Sequence, residues 1–221
     1  MMYIVDFEGN KSADPAFTLA LDEVLFEGLE APHIRKYHWG RNCVTAGILQ
    51  NYSECLNFSE SEGGSEVYRR MTGGGIAVHR RGEAGLSAVF PGGNDLAGLS
   101  PPDFYRRLHE AMASVLRRQG QEVTLAGAVG TAQTGACWGL PVESDLLVAG
   151  QKVCGGALRK TRRGILYQGM LNIEVPDDFA ELVAGELGFE PSPLRLSKEQ
   201  EVEAGRLAAE KYQNVDWTRR R

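Results

Sequence analysis

The 221-residue chain is 43% apolar with a formal charge of −5, enough for one well-filled core and short for two independent ones. An acidic balance argues against bulk nucleic-acid binding, which draws on counterion release by an excess of Lys and Arg. No apolar run reaches the roughly 18 residues of a membrane helix, and the N-terminus lacks a basic-then-apolar signal pattern, so a cytoplasmic protein is expected.

Asp14 ahead of Pro15 marks a helix start. Phe17, Ala20, Leu21, Val24, Leu25 and Gly28 then repeat at helical spacing up to Leu29, with Asp22, Glu23 and Glu27 off that face. Two β-like runs follow, His33–Trp39 and Val44–Leu49, and then a polar stretch with Asn51, Ser53 and Asn57 expected to cover a ligand pocket. Strands are predicted at Val67–Met71, Ile76–Arg80 and Leu86–Pro91. Pro101-Pro102-Asp103 opens a helix carrying Phe104, Leu108, Met112, Val115 and Leu116 until Gly120 ends it. Val123–Leu125, Asp145–Val148, Val153–Arg159 and Ile165–Ile173 read as strands, and helices over about Pro176–Leu187 and Ser197–Tyr212 close the chain. Most strand connections are too short for parallel crossovers. This favours an α/β (α+β) fold, a mixed, mainly antiparallel sheet flanked by helices, as one domain over residues 1–221.

Arg69-Arg70-Met71-Thr72-Gly73-Gly74-Gly75 is a cationic, glycine-rich loop between two predicted strands. Glycines let backbone amides approach anionic or carbonyl oxygens closely. The loop has neither the Gly-x-Gly-x-x-Gly spacing of a dinucleotide site nor the Gly-Lys-Ser/Thr ending of a P-loop. Consecutive strand residues face opposite ways, so one arginine, Arg70, is expected at the ligand. In a second segment, Gly150-Gln151-Lys152 forms a turn at the start of a small-residue strand, where Gly155, Gly156 and Ala157 leave room for a long, narrow substrate. Cys43, Cys55, Cys137 and Cys154 lack zinc spacing; they read as free thiols, and no metal site is expected.

Taken together, Arg-Arg-x-Thr-Gly-Gly-Gly-x-x-Val-His over 69–79 and Gly-x-Lys-x-x-Gly-x-Ala over 150–157 resemble the lipoate–protein ligase A and octanoyltransferase family, within the biotin/lipoate-ligase catalytic superfamily. Ala20-Leu21-Asp22-Glu23, Lys36-Tyr37-His38-Trp39, Gly164-Ile165-Leu166-Tyr167-Gln168-Gly169 and Glu210–Trp217 extend the resemblance over nearly the whole chain. It implies a single catalytic domain without a C-terminal accessory domain. The implied reaction moves a medium-chain acyl group to a lysine of a lipoyl domain, such as those of 2-oxoacid dehydrogenase E2 subunits or the glycine cleavage H protein.

Two chemistries occur in such a fold. Ligases activate lipoate with ATP and magnesium, whereas transferases pass an octanoyl or lipoyl group through a cysteine thioester without a cofactor, with acyl carrier protein as one donor. Cys137, followed by an aromatic residue, resembles the nucleophile of cysteine-dependent octanoyltransferases, and Lys152 would raise its thiolate fraction and polarise the acyl carbonyl. The nucleotide-holding Asn-Asp of ligases reads Ser144-Asp145 here, whereas Gly75 keeps the ligase-like triple glycine. The transferase is the favoured reading, with the ATP-dependent ligase and an inactive binder of lipoyl domains or lipoate as alternatives. Cys137 and Lys152 are the expected catalytic residues. Arg70, Thr72, Gly73, Gly74, Gly75, His79, Gly155, Gly156, Ala157 and Gln168 are the expected substrate-binding ones. Gln168 stands where many relatives have histidine. Arg159, Lys160, Arg162 and Arg163 form a basic turn suited to an acidic carrier.

Overall fold

The computed structural model describes residues 1–7, 9–10, 13–28, 30–61, 63–127 and 140–220. The chain runs β1 (Met2–Asp6), α1 (Pro15–Gly28), β2 (His33–His38), β3 (Cys43–Ala46), α2 (Tyr52–Ser61), β4 (Val67–Arg69), β5 (Ile76–His79), β6 (Ala84–Pro91), α3 (Asp95–Gly98) and α4 (Pro101–Arg118). It continues through β7 (Val123–Leu125), β8 (Leu146–Val148), β9 (Gln151–Thr161), β10 (Gly164–Leu171), α5 (Phe179–Glu186), β11 (Pro191–Arg195) and α6 (Lys198–Leu207). A π-helical turn at Ala208–Tyr212 and α7 (Val215–Thr218) follow.

The large sheet has the order β11-β1-β2-β6-β10-β9-β8-β7, and β4-β3-β5 form a small second sheet. In the large sheet β1 runs parallel to β11 and β2, and the remaining neighbours are antiparallel. The expected mixed, mainly antiparallel sheet is therefore present. Side chains alternate along β6 and β10. Leu86, Ala88, Phe90, Ile165 and Tyr167 meet α4 and α5 through Phe104, Leu108, Met112 and Phe179, whereas Val89 and Leu166 meet Phe26 of α1 and Met71 on the other face.

Local chemistry explains the helix ends. The Asp14 carboxylate accepts the Phe17 N–H at 3.1 Å. Ser100 accepts from Asp103 ahead of two prolines at the start of α4, and Ser197 and Gln200 make a reciprocal capping box for α6. The polar stretch expected to cover a pocket is instead helix α2, which seats Cys55 against Val44, Ala46 and Ile76 of the small sheet. Asp22, expected off the buried face of α1, is 1% exposed. No helix among the described residues is long and apolar enough to cross a membrane.

Candidate active site

The glycine loop joins β4 to β5 and is clamped from both sides. Gly74 has φ +78°, and a Cβ on Gly47 would lie 2.1 Å from the Gly74 carbonyl, so both close approaches need glycine. Ile48 N–H donates to Thr72 O at 2.9 Å and Gly73 N–H to Leu158 O at 3.0 Å, tying the loop to β3's end and to β9. Arg70 is buried and donates to Gly73 O at 2.9 Å, Gly75 O at 2.8 Å and Thr45 O at 3.0 Å. Arg69 takes the opposite face, fully buried, donating to Gly47 O at 3.0 Å, Gln50 O at 2.9 Å and Thr218 O at 2.9 Å. The predicted split of the two arginines holds. Arg70 organises the loop's carbonyls while lining the cavity beside it.

Lys152 stands on the β8–β9 hairpin, whose turn residues Ala149 and Gly150 both have positive φ (48° and 77°), matching the strand twist as a type I′ turn does. Its ammonium lies 2.8 Å from Asp145 Oδ2, with the lysine side chain 8% exposed and the carboxylate fully buried. Oδ2 also accepts Val142 N–H at 2.7 Å, and Oδ1 accepts the Tyr105 hydroxyl at 2.6 Å. A Cβ on Gly155 would meet Lys152 Nζ at 2.6 Å and Asp145 Oδ1 at 2.9 Å, so glycine leaves the space the ion pair occupies. The β8–β9 register shifts between Leu146 and Leu147, breaking the alternation that would put Cys154 on the face of Lys152. Cys154 packs in the main core instead, and burial pushes its thiol up to about 12. The described cysteines, Cys43, Cys55 and Cys154, are free and buried.

Gln168 on β10 bridges the glycine loop to a buried charge. Its amide donates to Asp22 Oδ2 at 2.8 Å, and its carbonyl accepts the Thr72 hydroxyl at 2.9 Å. Asp22 Oδ1 in turn accepts from Arg35 at 2.6 Å and Ser87 at 2.7 Å. A glutamine is suited to this place because it can donate to a carboxylate and accept from a hydroxyl at once.

Between the two sheets lies a cavity of about 170 Å³, whose lining includes Trp39, Arg70, Gly74, His79, Lys152, Gly155, Gly156, Ala157 and Gln168. Of the residues expected from sequence, Thr72, Gly73 and Gly75 stand behind this wall. His79 stacks on Trp39 with ring centroids 4.1 Å apart and bonds Thr45 Oγ1 through Nε2 at 2.8 Å. Burial and then the charge of Arg70 lower its pKa to about 3, so it is neutral at physiological pH and supplies no cation to a thiolate. Cys137 lies outside the described residues. In the basic turn, Arg163 pairs with Glu27 at 3.1 Å and Arg159 donates to Met71 O at 3.3 Å.

Sequence reasoning missed Tyr105, read only as part of an amphipathic helix, and the inward role of Asp22. The one signal for Asp22 was its place in Ala20-Leu21-Asp22-Glu23. The arrangement as a whole is a largely apolar slot with one held ammonium, suited to an acyl chain whose carbonyl oxygen meets Lys152.

The lipoyl protein ligase A/B catalytic domain model matches residues 14–186. Octanoyltransferase LipM of Halalkalibacterium halodurans is 27% identical, with 75% of this chain and 64% of that protein covered, so the chain spans just under two thirds of that relative. Octanoyltransferase LipM of Bacillus anthracis is 25% identical with 92% and 93% covered. A chain from an archaeal lipoylation system, a bi-partite lipoate protein ligase and its E2 lipoyl domain from Thermoplasma acidophilum, superposes with a TM-score of 0.75 at 17% identity, covering 98% of this chain and 95% of that one. That likeness is one of fold. With the family model matching most of its length, this chain belongs to the lipoyl protein ligase A/B catalytic domain family.

Proposed function

We propose that this protein is an acyltransferase that moves an octanoyl or lipoyl group onto a lysine of a lipoyl domain, using Cys137 as nucleophile and Lys152 as carbonyl-polarising cation. Two kinds of support stand behind the reading: relatives named octanoyltransferase, and the disposition of Asp145. Both oxygens of that carboxylate are occupied within the protein, by Tyr105, Val142 and Lys152. A magnesium ion held there, as a ligase would need beside ATP, would have to compete with the Lys152 ammonium for a carboxylate that is fully buried. This observation carries the choice of transferase over ligase.

The reaction would run in two displacements. The Cys137 thiolate attacks the carbonyl carbon of a carrier thioester, forming a new C–S bond and expelling the carrier thiolate. The neutral amine of the acceptor lysine then attacks the acyl-enzyme, forming the amide as Cys137 leaves and the amine loses a proton to solvent or base. A thiol suits this exchange because donor and acyl-enzyme thioesters are close in energy. Lys152 would hydrogen-bond the carbonyl oxygen as negative charge develops on it, and the glycines of β9 would let the acyl chain lie against backbone. The partners are an acyl carrier protein or acylated domain as donor and a lipoyl domain as acceptor, with the basic turn at 159–163 as one docking face for an acidic carrier.

Incubation with octanoyl-acyl carrier protein followed by intact mass measurement tests this. An octanoyl adduct that is lost in Cys137→Ala is the expected result. Formation of lipoyl-adenylate from ATP and lipoate with no adduct would replace it with the ligase, and neither signal would leave a non-catalytic binder.

A further inference from the structure

The hydroxyl of Tyr105, a residue outside the cavity lining, joins two parts of the site. It donates to Asp145 Oδ1 at 2.6 Å and accepts Gly156 N–H at 2.8 Å. The second bond has a topological reason. β8 begins only at Leu146, paired with Cys154, so the antiparallel β9 runs on past Cys154 without a β8 partner. Gly156 N–H is left at an open edge, where an unmet amide is costly. One phenol oxygen on α4 therefore closes the edge and grips the carboxylate that holds Lys152.

Several features suit Tyr105 to a fixed position. The residue is 8% exposed, and its ring lies 4.0 Å from the His109 ring, centroid to centroid. His109 is anchored at both nitrogens, donating from Nδ1 to Ser144 O at 2.8 Å and accepting the Tyr167 hydroxyl at Nε2 at 2.9 Å. Ser144 immediately precedes Asp145 in sequence, so His109 fixes the backbone from which the carboxylate projects. A Cβ on Gly156 would meet the Tyr167 ring at 2.4 Å, which keeps β9 seated on these aromatic rings.

We infer that Tyr105 is a positioning residue: through Asp145 it sets the place of the Lys152 ammonium against the acyl carbonyl, and through Gly156 it fixes the adjoining cavity wall. This rests on the reading of Lys152 as the group that meets the carbonyl. Without the hydroxyl, Asp145 would keep, apart from Lys152 itself, only the Val142 N–H bond at Oδ2, the carboxylate could turn about it, and the ammonium would sample wrong positions. Misplacement of a reacting group by about 1 Å costs up to about 100-fold in rate, without touching the surfaces that bind the two protein substrates.

The test combines Tyr105→Phe, Asp145→Asn and the double variant. In acyl transfer to a lipoyl domain, Tyr105→Phe should lower kcat by about 10- to 100-fold with KM nearly unchanged, and the loss in the double variant should be well short of the product of the two single losses. Independent of turnover, the rate of reductive methylation of Lys152, read by peptide mass spectrometry, should rise several-fold in Tyr105→Phe, with Lys36, bonded to Pro176 O at 2.8 Å, as internal reference. Amide hydrogen exchange at Gly156 in the unsubstituted protein should be slow, a measurement that needs no variant to fold. Additive losses in the double variant, an unchanged Lys152 methylation rate, or fast exchange at Gly156 would each overturn the proposal. If no acyl transfer occurs in any form, the function above fails, and the methylation and exchange results still decide the place of Tyr105.

Discussion

At the scale of single residues, the site depends on absent side chains as much as on present ones. Gly155 is the clearest case, because a Cβ there would meet Lys152 Cε at 2.3 Å and Nζ at 2.6 Å. The lysine end can yield, but the same Cβ would lie 2.9 Å from Asp145 Oδ1, a buried carboxylate oxygen held by Tyr105. Gly155→Ala should therefore disturb the buried ion pair, lowering unfolding free energy by about 1–3 kcal/mol and acyl transfer by about 10²–10³, as loss of an oxyanion donor does. A loss of stability with acyl transfer unchanged would show that the glycine serves only packing. The glycine loop, Lys152 and its hairpin were legible in the sequence only as a pair: a Gly-x-Lys turn alone is common on protein surfaces, and the second segment gave it meaning. Asp22 and Tyr105 were not. Each is a polar residue turned inward, and periodicity alone cannot distinguish it from one facing solvent until Arg35 and Asp145 are seen beside it.

Among the elements, those with strong punctuation were read well and those without were missed. The helix α4 begins at its Ser-Pro-Pro signal and runs to Arg118, with Gly120 at φ +83° beyond it. By contrast α2 buries only Cys55 and Ser59, too few for an apolar stripe. The strands β1 and β11 recognise each other across most of the chain, and no local pattern announces such a pairing. The β8–β9 hairpin carries a mismatch of its own. Ala149 holds φ 48°, a conformation that costs a residue with a Cβ roughly 1 kcal/mol and that asparagine tolerates better. Ala149→Asn should raise the urea unfolding midpoint by an amount equivalent to about 0.5–1 kcal/mol. A lowered midpoint would mean that the alanine methyl makes contacts outweighing its backbone strain.

Across the whole molecule, buried histidines govern the response to acid. Burial lowers His33 to about 4 and His79 and His109 to about 3, from an ordinary 6.5. The unfolded chain therefore binds protons that the folded one refuses. Their contribution to stability is whole above pH 6.5 and is lost as pH falls toward 4 and 3. Each proton contributes a slope of about 1.4 kcal/mol per pH unit, so the three together give on the order of 4 kcal/mol per pH unit in the middle of that window. Urea midpoints should fall from pH 7.5 to 6 by the equivalent of roughly 2 kcal/mol and from pH 6 to 5 by roughly 3–4 kcal/mol more; a flat profile down to pH 5 would refute the assignment.

The edge strand β11 has a consequence for how partners reach the site. Glu190 O accepts Met2 N–H at 2.9 Å, so even-numbered backbone groups turn toward β1 and those of Pro191 and Pro193 turn outward. Proline has no N–H to offer there. An incoming carrier can gain little by adding its own strand along that margin, and recognition of a substrate domain is left to side-chain contacts elsewhere. In that sense the prolines act as a filter: this edge of the sheet is closed to any chain whose only credential is an extended backbone.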